Sequence, residues 1–343
     1  MKDLTVTNKL LLVIVIPLIF YLLKILSFIF IPLVSSMFIA LMFLPLMRKL
    51  KRKNVSNTFS IIIVVGIIIL FFMGATQLVK LSSKEIVANK GAFITQATTK
   101  LDKFLVSLKE DYGVAEATDE NYVTNQLKSM GSSSGISAIL GKVGGTLTSI
   151  LMMIFFVILW LAESINVEKL LNDTFLKPKH SSVKTFMRIE SDLIKFIKVK
   201  VLMSLFTGIG TGLFCYAFDV SFPIFWGLFA FLINFVQMVG SFIAVIVVSL
   251  FAMVEMESTN TMLFFFLSVT SVQVLFGSIL EPVFMGKSFS INIITVLVML
   301  MLWGYIWGIP GMIMAIPITV FLKIIFEQFP RTKIVADIMS GKA

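Results

Sequence analysis

Residues 262–326 read MLFFFLSVTSVQVLFGSILEPVFMGKSFSINIITVLVMLMLWGYIWGIPGMIMAIPITVFLKIIF. The stretch divides into an apolar run (262–280), a polar break (Glu281 to Ser290), and two short apolar arms (291–307 and 311–326) joined at Gly308-Ile-Pro310-Gly311. A bilayer core about 30 Å thick needs roughly 20 helical residues, so the first run is long enough to cross and each arm is marginal. The arms therefore read as a hairpin that dips into the membrane and returns. Glycine and proline at its tip free backbone donors and acceptors, which lipid tolerates only where protein or water covers them. Such a hairpin points to a pathway as well as an anchor.

Composition sets the class. The chain is 58% hydrophobic and 14% charged, with 34 Phe, and its mean hydropathy is +0.99. That is more apolar surface than one soluble core hides, so a polytopic membrane protein is expected. The net charge of +10 comes from Lys and Arg in short loops beside apolar runs, where they act as orientation signals, and nucleic acid is not an expected partner. Cys215 stands alone in an apolar run, which excludes a disulfide within the chain and a thiolate metal site. With one His, His180, in a polar basic segment, neither a metal centre nor a catalytic triad has its residues. No cofactor and no enzymatic activity are expected.

Leu10–Ile31 is the first run, interrupted by Lys24 and ended by Pro32; 33–47 follows as a tightly coupled arm. Arg48-Lys49-Leu-Lys51-Arg52-Lys53 then places five cations in six residues with no acid. Short basic loops stay inside, so this loop and both termini are expected in the cytoplasm, beside anionic head groups of the bilayer. Residues 59–79 lead outward and close an N-terminal membrane segment, 1–79. In 80–145 the apolar density falls and Phe93, Ala97, Leu101, Phe104, Leu105 and Leu108 recur at helical spacing, the mark of a small extracytoplasmic helical domain. Gly131 to Gly135 and Gly144-Gly145 are linkers within it. Residues 146–163 return inward, and 164–200 form a basic amphipathic cytoplasmic helix with Phe186, Ile189, Leu193, Phe196 and Ile197 on its buried face. The tail is 327–343.

A transport core is expected over 201–326. Residues 201–218 cross the membrane, and Gly208, Gly210 and Gly212 suit close helix packing. A second interrupted pair of arms follows within 222–255, broken around Asn234, Gln237, Gly240 and Ser241, with Asp219, Glu255 and Glu257 at its ends and no base nearby in sequence. This acidic flank suits the outside, whereas the basic flank of the hairpin at 290–326 suits the inside. A span followed by a hairpin thus occurs twice in opposite senses, the layout of an inverted repeat whose discontinuous helices build a solute site near the midplane. The expected fold is all-α, with about five to six full spans, two oppositely oriented helical hairpins and the small external domain.

Phe225-Trp-Gly227, Asn234, Gly240-Ser241, Gly277-Ser278-Ile-Leu-Glu281-Pro282, Gly286-Lys287, Trp303-Gly304, Gly308-Ile-Pro310-Gly311 and Ala315-Ile-Pro317 together resemble the autoinducer-2 exporter family of multi-pass bacterial proteins. The resemblance covers most of the chain in layout and is most specific in the C-terminal half. It implies an inner-membrane exporter of a small polar signalling molecule, or exchange of sodium or lithium for protons, and a homo-oligomer, a pentamer. The chain departs from the family pattern at Gln237, where proline is usual, at Ser278, where Asn is frequent, and at Val283, where a basic residue is common.

Polar groups in lipid are costly and face a partner or water. Glu281 is the leading coupling residue, because Pro282 removes a backbone donor and disfavours helix at the residue before it. It could equally cap a turn or pair with Lys287. Asn234, Gln237, Gln273, Ser241 and Ser278 are the other pathway candidates, able to bind solute hydroxyls or a dehydrated cation, or simply to join helices. Gly240, Pro282, Gly286, Gly308, Pro310, Gly311 and Pro317 belong to the turns of the hairpins, and Trp303, Tyr305 and Trp307 read as interfacial aromatics. A scaffold that transports nothing is the alternative from another class.

Overall fold

The computed structural model describes residues 2–112, 148–163, 180–236, 239–286, 291–328 and 332–341. The described residues are helical and joined by turns, as lipid requires of any segment that must satisfy its backbone internally. In chain order they are α1 (Lys2–Ile25), α2 (Ser27–Arg52), α3 (Asn57–Tyr112), α4 (Thr148–Glu163), α5 (His180–Ala217), α6 (Pro223–Ile233), α7 (Val239–Glu255), α8 (Thr259–Met285), α9 (Ile293–Gln328) and α10 (Lys333–Ser340). Within them, Ser27–Arg52, Asn57–Ile86, Thr259–Met285 and Ile293–Glu327 are long and apolar enough to cross a membrane, and shorter apolar helices accompany them. The chain is a multi-pass membrane protein.

Three boundaries differ from those expected. The first run breaks at Leu26, whose ψ of 21° is not helical, while Pro32 lies inside α2. Its missing N–H costs one ladder bond near the start of the helix, and buried packing of the stripe Pro32, Ser36, Ala40, Leu44 and Met47 carries the helix through. The basic segment does not stop before the span at 201; from His180 to Ala217 it is one helix. Leu193, Phe196 and Ile197 are buried on its inner face, as their spacing suggests, and Lys200 is buried with them; the side chains of Phe186 and Ile189 lie outside the description. Likewise α3 continues unbroken from its apolar half through Tyr112, because no proline interrupts it. The linkers at 131–135 and 144–145 lie outside the described residues.

Contacts divide the chain into two compact units. The first comprises Met1–Ile69, Ser149–Val201 and Pro282–Ala343. Its centre is α9, which is bent at Gly308 (φ 64°, ψ −141°), a conformation that only glycine adopts cheaply. The chain doubles back there. A Cβ on Gly311 would overlap the carbonyl oxygen of Trp303, and one on Gly304 would sit 3.0 Å from Met312 Cγ, whereas eight residues of straight helix would separate Trp303 and Gly311 by about 12 Å. Trp303 and Trp307 are buried and pack against each other with ring centroids 4.8 Å apart and planes tilted by 45°, so they are core residues, and of the three only Tyr305 is exposed as an interfacial ring would be. Two contacts tie α1 to this bend: Trp307 Nε1 donates to Leu23 O at 3.0 Å, and Lys24 lies 3.7 Å from the centre of the Tyr305 ring. The basic end of α2 is fastened by Arg48 to Glu190 at 2.7 Å.

The second unit comprises Leu70–Thr148 and Leu202–Glu281. Its core is aromatic: Phe222, Trp226, Phe251 and Phe265 pack with Cys215, Val248 and Val269. Trp226, near the start of α6, lies 4.8 Å from Phe251, near the end of α7, so these two helices run antiparallel. The Gly208 and Gly212 face of α5 meets Gly227 of α6 backbone to backbone; a Cβ on Gly208 would stand 2.7 Å from Gly227 O. Gly208→Ala is therefore expected to destabilise the protein by about 1–3 kcal/mol through overpacking, read as a lowered melting temperature of the purified protein in detergent. The acidic flank also gains a base in space. Lys100 of α3 donates to Met253 O at 2.9 Å and to Met256 O, while Glu255 and Glu85 accept the N–H groups of Ser221 (2.7 Å) and Phe222 (3.2 Å). These carboxylates hold a turn in which Asp219 and Phe222 both have positive φ.

Candidate functional site

Four of the pathway candidates, Asn234, Ser241, Gln273 and Glu281, lie in the second unit, two of them on an irregular part of α8. From Gln273 to Leu280 this helix widens to a π-helix, and the N–H of Glu281 bonds to Phe276 O, five residues back. Pro282 supplies a physical cause. Its ring lacks a donor and would crowd the carbonyl four residues earlier, and a wider turn relieves that crowding. Glu281 is thus helical (φ −56°, ψ −54°) and not in opened backbone as the Glu-Pro pair suggested. Pro282 lies inside the helix, which ends at Gly286 with φ 78°. Lys287, the expected ion partner, lies outside the described residues, as does Gln237.

The wider turn organises burial. Gln273 and Glu281 are 3% and 2% exposed, Gly277 between them is half-buried, and residues 274, 275, 278 and 279 are exposed. Side chains four apart thus form one inward row, Gln273, Gly277, Glu281, while Ser278 faces away from it. Opposite Gly277 stands the reversal between α6 and α7. A Cβ on Gly277 would lie 3.4 Å from Ser241 Oγ and 3.9 Å from Asn234 Oδ1. Asn234, 2% exposed, donates through Nδ2 to Ser204 Oγ at 3.0 Å and accepts from Ser241 Oγ at 3.3 Å.

Of the sequence candidates, then, Asn234, Ser241, Gln273 and Glu281 lie within the second unit, the first two in direct contact. Gly240 opens α7 against Ile233. Gly308, Pro310, Gly311 and Pro317 belong to α9 in the first unit. Ser204, Thr207 and Thr211, all fully buried on α5, were not among the candidates. Their spacing of three and four in an apolar helix was the available signal. Thr207 Oγ1 returns to Met203 O at 2.9 Å, whereas Thr211 Oγ1 and both amide atoms of Gln273 are buried without a hydrogen-bond partner. Among the described residues no group of His, Cys, Asp and Glu could hold a metal ion. What the site offers is neutral hydrogen-bonding groups beside one buried carboxylate.

The comparisons with known proteins bear on the family. A protein of Borreliella burgdorferi, provisionally named for transport, is 31% identical over 57% of this chain and 54% of its own length, so that match spans about half of the relative. A similarly named protein of Haemophilus influenzae is 24% identical over 90% of this chain and 89% of the relative. The AI-2 transport protein TqsA of Escherichia coli is 23% identical over 91% and 89%. The family model described as AI-2E family transporter matches residues 10–331. With nearly the whole sequence matched and the helical architecture in place, the chain belongs to the AI-2E transporter family.

Proposed function

We propose that the protein exports a small polar solute, of the kind for which the TqsA relative is named, across the inner membrane of a bacterium. The observation that carries this reading is the inward row Gln273, Gly277, Glu281 on a π-helical turn, facing the Asn234 and Ser241 pair. Burying a carboxylate and two amides in a membrane protein is costly and marks a pathway. Backbone irregularity supports the same reading. The eleven residues of α6 rise about 16 Å and the arm from Ile293 to Trp307 about 22 Å, against a hydrocarbon core of about 30 Å. Both then enter part way and turn back, one from each side, with the termini and the basic segments 48–53 and 164–200 in the cytoplasm and 80–145 outside. Ser278, on the outer side of the row, leaves the pathway set.

Reconstitution tests the export. Liposomes holding the full chain and loaded with AI-2 are expected to release it faster than protein-free liposomes, with a rate that changes when a proton gradient is imposed. Release at the protein-free rate under every gradient would overturn the reading. The buried carboxylate also favours a second reading, exchange of a monovalent cation for protons. A pH-sensitive dye inside the same vesicles, responding to external sodium without solute, separates the two.

A further inference from the structure

Buried side chains without hydrogen-bond partners occur on several helices of the second unit, Ser82, Trp226, Ser249 and Thr270 among them, and two more, Thr211 of α5 and Gln273 of α8, lie on helices that pack together. Three contacts fix the register of α5, with the turn that follows it, against α8: Phe206 with Phe276, stacked at 5.4 Å; Gly210, whose Cβ would stand 2.9 Å from Val272 Cγ1; and Phe218, just past the end of α5, with Phe265, edge to face at 5.6 Å. Residue numbers rise on one helix as they fall on the other, so the helices are antiparallel. In an antiparallel pair, one step forward from each of two facing residues rotates both side chains toward the same side of the seam. Thr211 follows Gly210 and Gln273 follows Val272. They therefore share one side, at levels within about 3 Å of each other by helical rise. Ser204 and Thr207, three and four residues apart from each other and from Thr211 along α5, continue that side. At its far end Ser204 meets Asn234.

Thr211 is fully buried and Gln273 nearly so, and Thr211 Oγ1, Gln273 Oε1 and Gln273 Nε2 all lack partners. Such groups are met by a ligand or by buried water. The identity of the atoms narrows the choice. An amide oxygen needs a donor and an amide nitrogen needs an acceptor, and a hydroxyl is both. A bare monovalent cation would satisfy Oε1 and Thr211 Oγ1 but stand against the positive edge of the Nε2 amide. We infer that Thr211 and Gln273 form a site for an O–H group, supplied by water or by a hydroxyl of the solute, and not a cation site. The inference rests on the transport reading only for the second source; a water-held site stands without it.

A double-mutant cycle reads it directly. Melting temperatures of the full chain in detergent are measured for wild type, Gln273→Met, Thr211→Val and the double variant, in choline chloride, in sodium chloride and with added AI-2. If water bridges the two side chains, each single substitution lowers the melting temperature in choline chloride. The double variant then falls no further than the worse single, and Thr211→Ser, which keeps the hydroxyl, behaves as wild type. Should the non-additivity arise only with AI-2, the hydroxyl belongs to the solute. Non-additivity that requires sodium overturns the inference, as do additive effects or stabilising single substitutions under all three conditions. Because no flux is measured, the result is independent of the liposome assay. A failed export test with an intact cycle removes the function and keeps the site, and the converse removes the site alone.

Discussion

Gly240→Ala is expected to deplete the protein from membranes and, in what remains, to lower the melting temperature more than any other single methyl added to the second unit. The added Cβ would overlap the carbonyl oxygen of Ile233 and lie 2.8 Å from its carbonyl carbon. Both atoms are backbone, so no rotamer change clears the space. The N–H of Gly240 is itself bonded to Val236 O at 2.8 Å, which holds the first turn of α7 against the end of α6. Separating the arms would break that bond and draw Asn234 away from Ser204 and Ser241. A cost of about 3 kcal/mol or more is reasonable, at the upper end of what overpacking produces. Gly66 is the control: a Cβ there meets nothing within 4 Å, and Gly66→Ala should leave the melting temperature unchanged or raise it slightly. Equal behaviour of the two variants would mean that the arms do not close as tightly as Gly240 and Ile233 indicate.

The same residue shows what the sequence could and could not express. A glycine between two short apolar arms announces a turn, because composition and length alone determine where a helix cannot continue through lipid. The end of α6 and the break at Gly308 follow from that rule. Other features depend on what packs in space. Leu26 is an ordinary helix former, and nothing in its neighbours marks the break between α1 and α2. Trp303 and Trp307 look like interfacial aromatics until the chain doubles back at Gly308 and encloses them. Lys100 is far in sequence from Met253 and Met256, so the acidic flank looked unopposed. At Glu281 a correct local rule gave the wrong backbone: proline does disfavour an α-turn before it, but the helix responds by widening to a π-turn and continuing. That response is what aligns Gln273 and Glu281. Thr211 does not stand out in the sequence because a threonine in an apolar helix usually bonds its own backbone, as Thr207 does.

Glu281→Gln is expected to cut solute release from liposomes by about tenfold or more, equivalent to ~1.4 kcal/mol, and to make the remaining release insensitive to an imposed proton gradient. Glutamine preserves the length of the side chain and one carbonyl oxygen, so the π-turn, whose cause is Pro282, should persist. What it removes is the charge and the ability to take up and release a proton. Glu281→Asp, which keeps both on a shorter stem, should retain part of the release and its response to the gradient. This pair distinguishes coupling from packing, since a carboxylate that only filled space would tolerate glutamine better than aspartate. The wild-type protein also tests the scaffold, because a protein that merely positions partners at the membrane would release no solute faster than bare lipid. If glutamine supports wild-type release with an unchanged response to the gradient, coupling must reside elsewhere in the chain, and the inward row of α8 would serve only to bind.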